Sequence, residues 1–223
     1  MYTSQKLRIS RSSAAKKLSY TPTVRIRASR APRQAEAPLT GGTFQGQSAG
    51  ELDLSDLELR QTEFRSCRFT DCDFSGAAFY GCRFTDCLFD RCRFFRSYWQ
   101  ETTLSGCKAD GGDFRKARLK HSTLEGTLLR YTNFTASTWD RASLSRCSLR
   151  EAVLADSRIN RTLFRDADLT SASFFHTPLA GTDLSGCTLD GLMLSQTCGE
   201  LKGAVISAAQ AAVVARILGI QVI

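Results

Sequence analysis

The chain has 223 residues, with 30 Lys and Arg against 22 Asp and Glu, and nine cysteines. That length suits one domain, and no run of 18 apolar residues is present, which excludes a membrane-spanning helix. The net charge of +8 comes from one end of the chain, so it does not characterise the body of the protein.

Residues 1–40 hold Lys6, Arg8, Arg11, Lys16, Lys17, Arg25, Arg27, Arg30 and Arg33 against the single acid Glu36. Ser, Ala and Pro make up much of the remainder, a composition that reads as a disordered basic tail. Three readings of it stand open. It is a solvated tail or a mis-assigned start; or an arm that touches nucleic acid through Lys16, Lys17, Arg25 and Arg27, since clustered cations bind phosphate non-specifically; or an organelle transit peptide, which is also Arg- and Ser-rich and acid-poor. The first residues lack the apolar core of a signal peptide, so secretion is not expected.

From residue 52 to residue 196 a period of five takes over. Starting at Leu54, every fifth residue up to Leu194 is large and apolar, 29 positions in one register, with Ala109 as the exception. Phe64, Phe69, Phe74, Phe84, Trp99 and Trp139 belong to this column. Two residues before each member stands a second column that, apart from Leu52, Leu57 and Leu192 at its two ends, holds only Ala, Cys, Ser, Thr and Gly. A period of five fits neither the 3.6 of a helix nor the 2.0 of a strand, so it marks a repeat architecture. The large column fills an axis, the small column lets the walls approach, and the other three positions face water. Stacked coils then pair their backbones as parallel strands about 4.8 Å apart, and seven of them make a rod about 35 Å long. Phe44, Ala49 and Gly42 keep the register, so residues 41–50 are expected to form an imperfect first coil or cap.

Eight of the nine cysteines lie in the small column, where they alternate with Ala, Ser and Thr as small apolar groups. No CxxC pair occurs, so neither a metal site nor a redox pair is expected. Cys67, Cys87 and Cys107 stack at a spacing of 20, yet their Cβ vectors run parallel and do not converge on a disulfide. Free thiols of this kind suit a reducing, cytoplasmic compartment. At Ala109, followed by Asp110-Gly111-Gly112, a local void or bend is expected. No catalytic group, metal ligand or cofactor site is legible. His121 and His176 stand alone, and Asp73, Asp113 and Asp183 recur because the repeat turn favours Asp.

The stretches Cys72-Asp73-Phe74-Ser75-Gly76, Ala167-Asp168-Leu169-Thr170-Ser171 and Thr182-Asp183-Leu184-Ser185-Gly186 closely resemble the motif of the pentapeptide-repeat family. The resemblance implies an all-β solenoid, a right-handed quadrilateral β-helix with four repeats per coil, spanning residues 41–200. With every fourth repeat assigned to one face, three faces come out near −1 and the face of Leu59, Phe79, Trp99 and Leu119 near +3.

After the ladder, Ser207 and Gln210 form a capping box for a helix over residues 208–218, Gly219 stops it, and residues 220–223 alternate as a short strand. Residues 201–223 are expected to cap the coil. Their surplus of apolar residues, Val213, Val214, Ile217, Leu218, Ile220 and Val222, is expected to form a two-fold dimer interface. The lead Leu201-Lys202-Gly203-Ala204, the early Gln210 and Leu218-Gly219-Ile220 resemble the end of the Qnr and MfpA group within the same family. That resemblance implies a homodimer that binds a type II topoisomerase, chiefly DNA gyrase, as a DNA-shaped rod and protects it from quinolones or related toxins. The alternative is a non-catalytic scaffold for another protein partner.

Overall fold

The computed structural model describes residues 38–223 in full, and the backbone of Lys6–Arg8 and Arg27–Ser29. The last two segments pair antiparallel, Lys6 opposite Ser29 and Arg8 opposite Arg27. The expectation of disorder for the rest of the tail lies outside the described residues.

From Leu39 onward the chain winds as a parallel β-solenoid with four faces per turn. The first face stacks seven strands, from Leu39–Thr40 through Glu58–Arg60 and Tyr98–Gln100 to Arg158–Asn160. The second also stacks seven, from Thr43–Gln45 to Leu163–Arg165. The third stacks Ser48–Gly50, Arg68–Thr70 and Leu88–Asp90 and continues as single bridges. The fourth is bridged throughout, Asp53 to Asp73, Arg93, Asp113 and onward. Each residue pairs with the one 20 places later, as Phe64 with Phe84 and Phe84 with Leu104. The coil thus starts at Leu39, inside the segment assigned to the tail. Phe44 and Ala49 are buried members of its first turn.

The large column is the core. Phe84, Trp99 and Trp139 are each no more than 1% exposed. Along the axis the rings stack, Phe44 on Phe64 at 4.8 Å and Phe64 on Phe84 at 4.9 Å, the spacing at which strands stack. Between faces they meet edge to face, Phe64 to Phe69 at 5.7 Å and Phe69 to Phe74 at 5.5 Å. Both geometries suit the ring quadrupole.

The small column does more than leave room. Thr102 Oγ1 donates to the carbonyl of Phe79 at 3.1 Å, Ser122 Oγ to that of Trp99 at 3.2 Å, and Cys87 Sγ to that of Phe64 at 3.4 Å. Each donor reaches the large residue 23 places earlier, so Cys here is a thiol donor as well as a filler. Every buried side-chain polar atom among the described residues has a partner.

One residue per repeat turns the corner in the left-handed region. Among the described residues, twenty-one of these corners are not glycine, among them Asp56, Gln61 and Arg141. Such backbones are costly for L-residues. They persist because most corner amides donate to the next turn, Asp56 to the Ser75 carbonyl at 2.9 Å and Arg141 to that of Asn160 at 2.9 Å. The recurrent Asp is a local turn device: Oδ1 of Asp73 accepts the Ser75 amide at 2.9 Å, and Oδ1 of Asp183 that of Ser185 at 2.9 Å.

At Ala109 the register continues, and Lys108 bridges both Leu88 and Leu128. What changes is the third face, which gives up its strands for turned corners at this point. Phe114 leans over Gly112 so closely that a Cβ there would sit 2.9 Å from its ring. The expected bend is absent because the backbone ladder passes through regardless of side-chain size.

Candidate interaction surfaces

The C-terminal end of the coil is closed by a built cap. A 3-10 turn at Gly199–Leu201 leads to helix α1, Ala208–Ile217. Ser207 caps α1 with its side chain, and Gln210 completes the capping box. The Gln210 amide also reaches into the coil, donating to the carbonyls of Leu184 at 2.7 Å and Cys187 at 2.6 Å. Glu200 is buried and accepts from the amide of His176 at 3.0 Å and the hydroxyl of Ser195 at 2.8 Å. Its burial works against ionisation, but these donors outweigh it and hold the carboxyl below the usual range. Neither role was legible in the sequence: Gln210 was read only as a helix-capping residue, and Glu200 carries no motif.

The six residues expected at a dimer interface divide. Val213 and Ile217 pack against the chain's own core. Val214 is half-buried, and Leu218, Ile220 and Val222 are exposed. Residues 220–223 form no strand, since a lone chain offers them no partner edge; the expected short strand is corrected on this point.

The flanks of the coil are polar and mostly self-paired. Arg91 meets Asp71 through two nitrogens at 2.7 and 2.8 Å, Arg115 meets Asp113 at 2.7 Å, and Arg130 meets Asp110 at 2.5 Å. His121 lies 3.3 Å from Nη1 of Arg141, and His176 lies 3.2 Å from Asp156. All cysteines are free, and eight are buried. Burial pushes the Cys147 thiol up to about 11, and the neighbouring Cys107 helps push Cys87 up to about 12, so both are protonated at neutral pH. No three His, Cys, Asp or Glu side chains among the described residues are grouped to hold a metal. No described helix is long and apolar enough to cross a membrane. Lys16, Lys17 and Arg25 lie outside the described residues, and of Arg27 only the backbone is described.

Two family models cover most of this coil. The model described as "Pentapeptide repeat region" matches residues 77–154, and the one described as "Pentapeptide repeats (8 copies)" matches residues 51–86 and 167–198. The chain belongs to the pentapeptide-repeat family. That family is generally non-catalytic, and no catalytic group is evident among the described residues. No curated protein sequence matches the chain. Among solved structures, this pentapeptide-repeat protein is similar to HetL, involved in heterocyst differentiation regulation in the cyanobacterium Nostoc sp. strain PCC 7120. They share 17% identity over 77% of this chain and 92% of that one, with a TM-score of 0.46. It is also similar to full-length QnrB1, a plasmid-mediated fluoroquinolone resistance protein, with 20% identity over 80% of this chain and all of that one, and a TM-score of 0.46. At these values no partner or activity passes from either protein to this one.

Proposed function

We propose that this pentapeptide-repeat protein is a non-catalytic binding rod, joined to a second copy at its C-terminal cap, whose faces engage a macromolecular partner. The observation that supports the dimer is the apolar surface left once the cap is full. Leu218, Ile220 and Val222 remain 47%, 54% and 42% exposed beyond a helix whose inner side is already committed to the core. A two-fold axis lets the same strip on each chain bury its copy, and gives residues 220–223 the edge they lack.

The partner this reading puts first is a type II topoisomerase, DNA gyrase foremost, with protection from quinolones or related toxins as the outcome. It rests on the resemblance of residues 201–220 to the end of the Qnr and MfpA group. The charge of the faces weighs against mimicry of duplex charge, because no face is acidic enough, and leaves mimicry of duplex shape untouched. A scaffold for a different protein partner uses the same dimer. The buried free thiols favour a reducing cytoplasm.

Light scattering on the full chain and on Ile220→Asp tests the dimer. The expected result is a dimer for the first and a monomer with unchanged far-UV spectrum for the second; a monomeric wild type removes the dimer. Gyrase supercoiling in the presence of a quinolone tests the partner. The wild type is expected to raise the inhibitory drug concentration severalfold and Ile220→Asp to do so less. A dimer that leaves inhibition unchanged removes gyrase and retains the scaffold.

A further inference from the structure

The cations of the coil are unevenly paired. Arg60, Arg65, Arg83, Arg91, Arg93, Lys108, Arg115, Arg130, Arg141, Arg146 and Arg150 all have a carboxylate within reach. Among the described residues, six of those without one lie on the first face and at its two edges: Arg96, Lys116, Arg118, Lys120, Arg158 and Arg161. All are exposed except the half-buried Lys120. Among the described residues of the coil, only Arg68 and Arg165, on other faces, also have no carboxylate within reach.

The ladder sets their geometry. Arg118 and Arg158 occupy one column, two turns apart with Thr138 between them, hence about 10 Å apart along the axis. Lys120 flanks Arg118 on the same strand, and Lys116 and Arg96 hold the corner before it. Arg161 holds the corner after the last strand of the face. The carboxylates nearby are few. Glu58 is matched by Arg60, Asp140 is engaged by Asn160 at 2.8 Å, and Glu101 accepts from Gln100 at 3.3 Å. Asp156 at the shared corner faces His176.

We infer that this face binds the phosphate backbone of nucleic acid. Unpaired cations keep their attraction for an external anion, whereas paired ones have spent it. Row spacing of a few ångströms suits a polymer that carries a charge about every 1.7 Å of duplex axis. Two further observations favour nucleic acid over an acidic protein. Tyr98 precedes Arg118 directly in the column, with Tyr80 beside it at a ring distance of 5.6 Å, and flat rings among cations suit sugars and bases. The tail also joins the coil on this face, since Leu39–Thr40 is the first strand of its sheet. The nine basic residues of the tail precede that strand in sequence.

The test uses the full chain and fluorescence anisotropy with labelled duplex DNA of about 20 base pairs, at about 50 to 200 mM salt. The variant Arg118→Ser/Lys120→Ser/Arg158→Ser is compared with wild type and with the off-face control Arg68→Ser/Arg165→Ser. The expected loss for the first is about tenfold in affinity, with the slope of log K against log salt reduced by about two to three. The control is expected to stay within about twofold of wild type. Single Arg118→Glu gives the same direction should the triple variant fold poorly. Equal affinity and slope in the wild type and the triple variant would sink the proposal and leave the tail as the binding element. Absence of wild-type binding at the lowest salt overturns it, and so does binding of polyglutamate as tight as that of DNA, which would assign the face to acidic proteins.

Discussion

The side-chain amide of Gln210 donates to the backbone carbonyl of Leu184 across 2.7 Å. Leu184 is completely buried in the last regular turn of the coil, so this bond fastens α1 to the end of the core. The same nitrogen serves Cys187, and the Gln210 oxygen accepts the Ser207 amide at 2.7 Å. Gln210→Ala leaves the Cys187 carbonyl and the Ser207 amide without partners, while the Leu184 carbonyl keeps the amide of Cys187 at 2.8 Å. A loss of about 2 kcal/mol is expected, measured by urea unfolding, with faster proteolytic removal of the C-terminus.

Ser97 and Trp99 make a second pair of this kind. The indole Nε1 donates to Ser97 Oγ at 2.8 Å, and Trp139 repeats the arrangement with Ser137 at 2.7 Å. Ser97→Ala strands a buried N–H and is expected to cost about 1–3 kcal/mol. Trp99→Phe in the Ser97→Ala background is expected to cost less than Trp99→Phe alone. A double-mutant cycle on thermal unfolding reads the coupling directly.

The inward and outward columns are tested at adjacent positions. Phe84 is 1% exposed and stacks on Phe64, so Phe84→Ala is expected to cost about 3–5 kcal/mol. Thr85 faces outward beside it, and Thr85→Ala is expected to cost under about 0.5 kcal/mol. Equilibrium denaturation of the two variants compares them, and similar losses would defeat the assignment.

Acid is expected to loosen the cap. The Glu200 carboxyl is held below its ordinary value by the donors of His176 and Ser195. A depressed pKa contributes stability that is present above the unfolded value, about 4.3, and is lost as pH falls through the folded value. Wild type is therefore expected to lose stability below about pH 4, while Glu200→Gln, weaker at neutral pH, loses less over the same range. Melting temperatures of both proteins at pH 3 and pH 7 give the comparison.

The repeat was open to reading because its two columns never break step. Phe64, Phe84 and Trp99 announce the core by position alone, and Phe44 and Ala49 extend it by register. Leu39 keeps the same register, five residues before Phe44, but the basic, Pro-containing segment around it masks the period. Ser97 and Ser137 were seen as small, and nothing in a column that also accepts Ala says that one serine holds an indole. Ile217 was read as surplus because the pattern of a helix shows that it is apolar but not which side meets the coil. Glu200 and Gln210 were hidden for a different reason. Gln210 reaches the carbonyls of Leu184 and Cys187, and Glu200 the amide of His176, backbone groups more than 20 positions away that the side-chain sequence does not record.

The solenoid has two periods, and they constrain change differently. The core repeats every five residues, so one added pentapeptide keeps every large and small side chain in its column. The surface repeats every 20, as the pairing of Tyr98 with Arg118 shows. A single added repeat would therefore turn everything after it by a quarter of a revolution. If it fell between Lys120 and Arg158, the protein would fold as before while the basic strip split between two sides of the rod. Stability sets the unit of tolerated insertion at five, and a function written along one face raises it to 20. The unbroken run from Leu54 to Leu194 keeps to the stricter of the two.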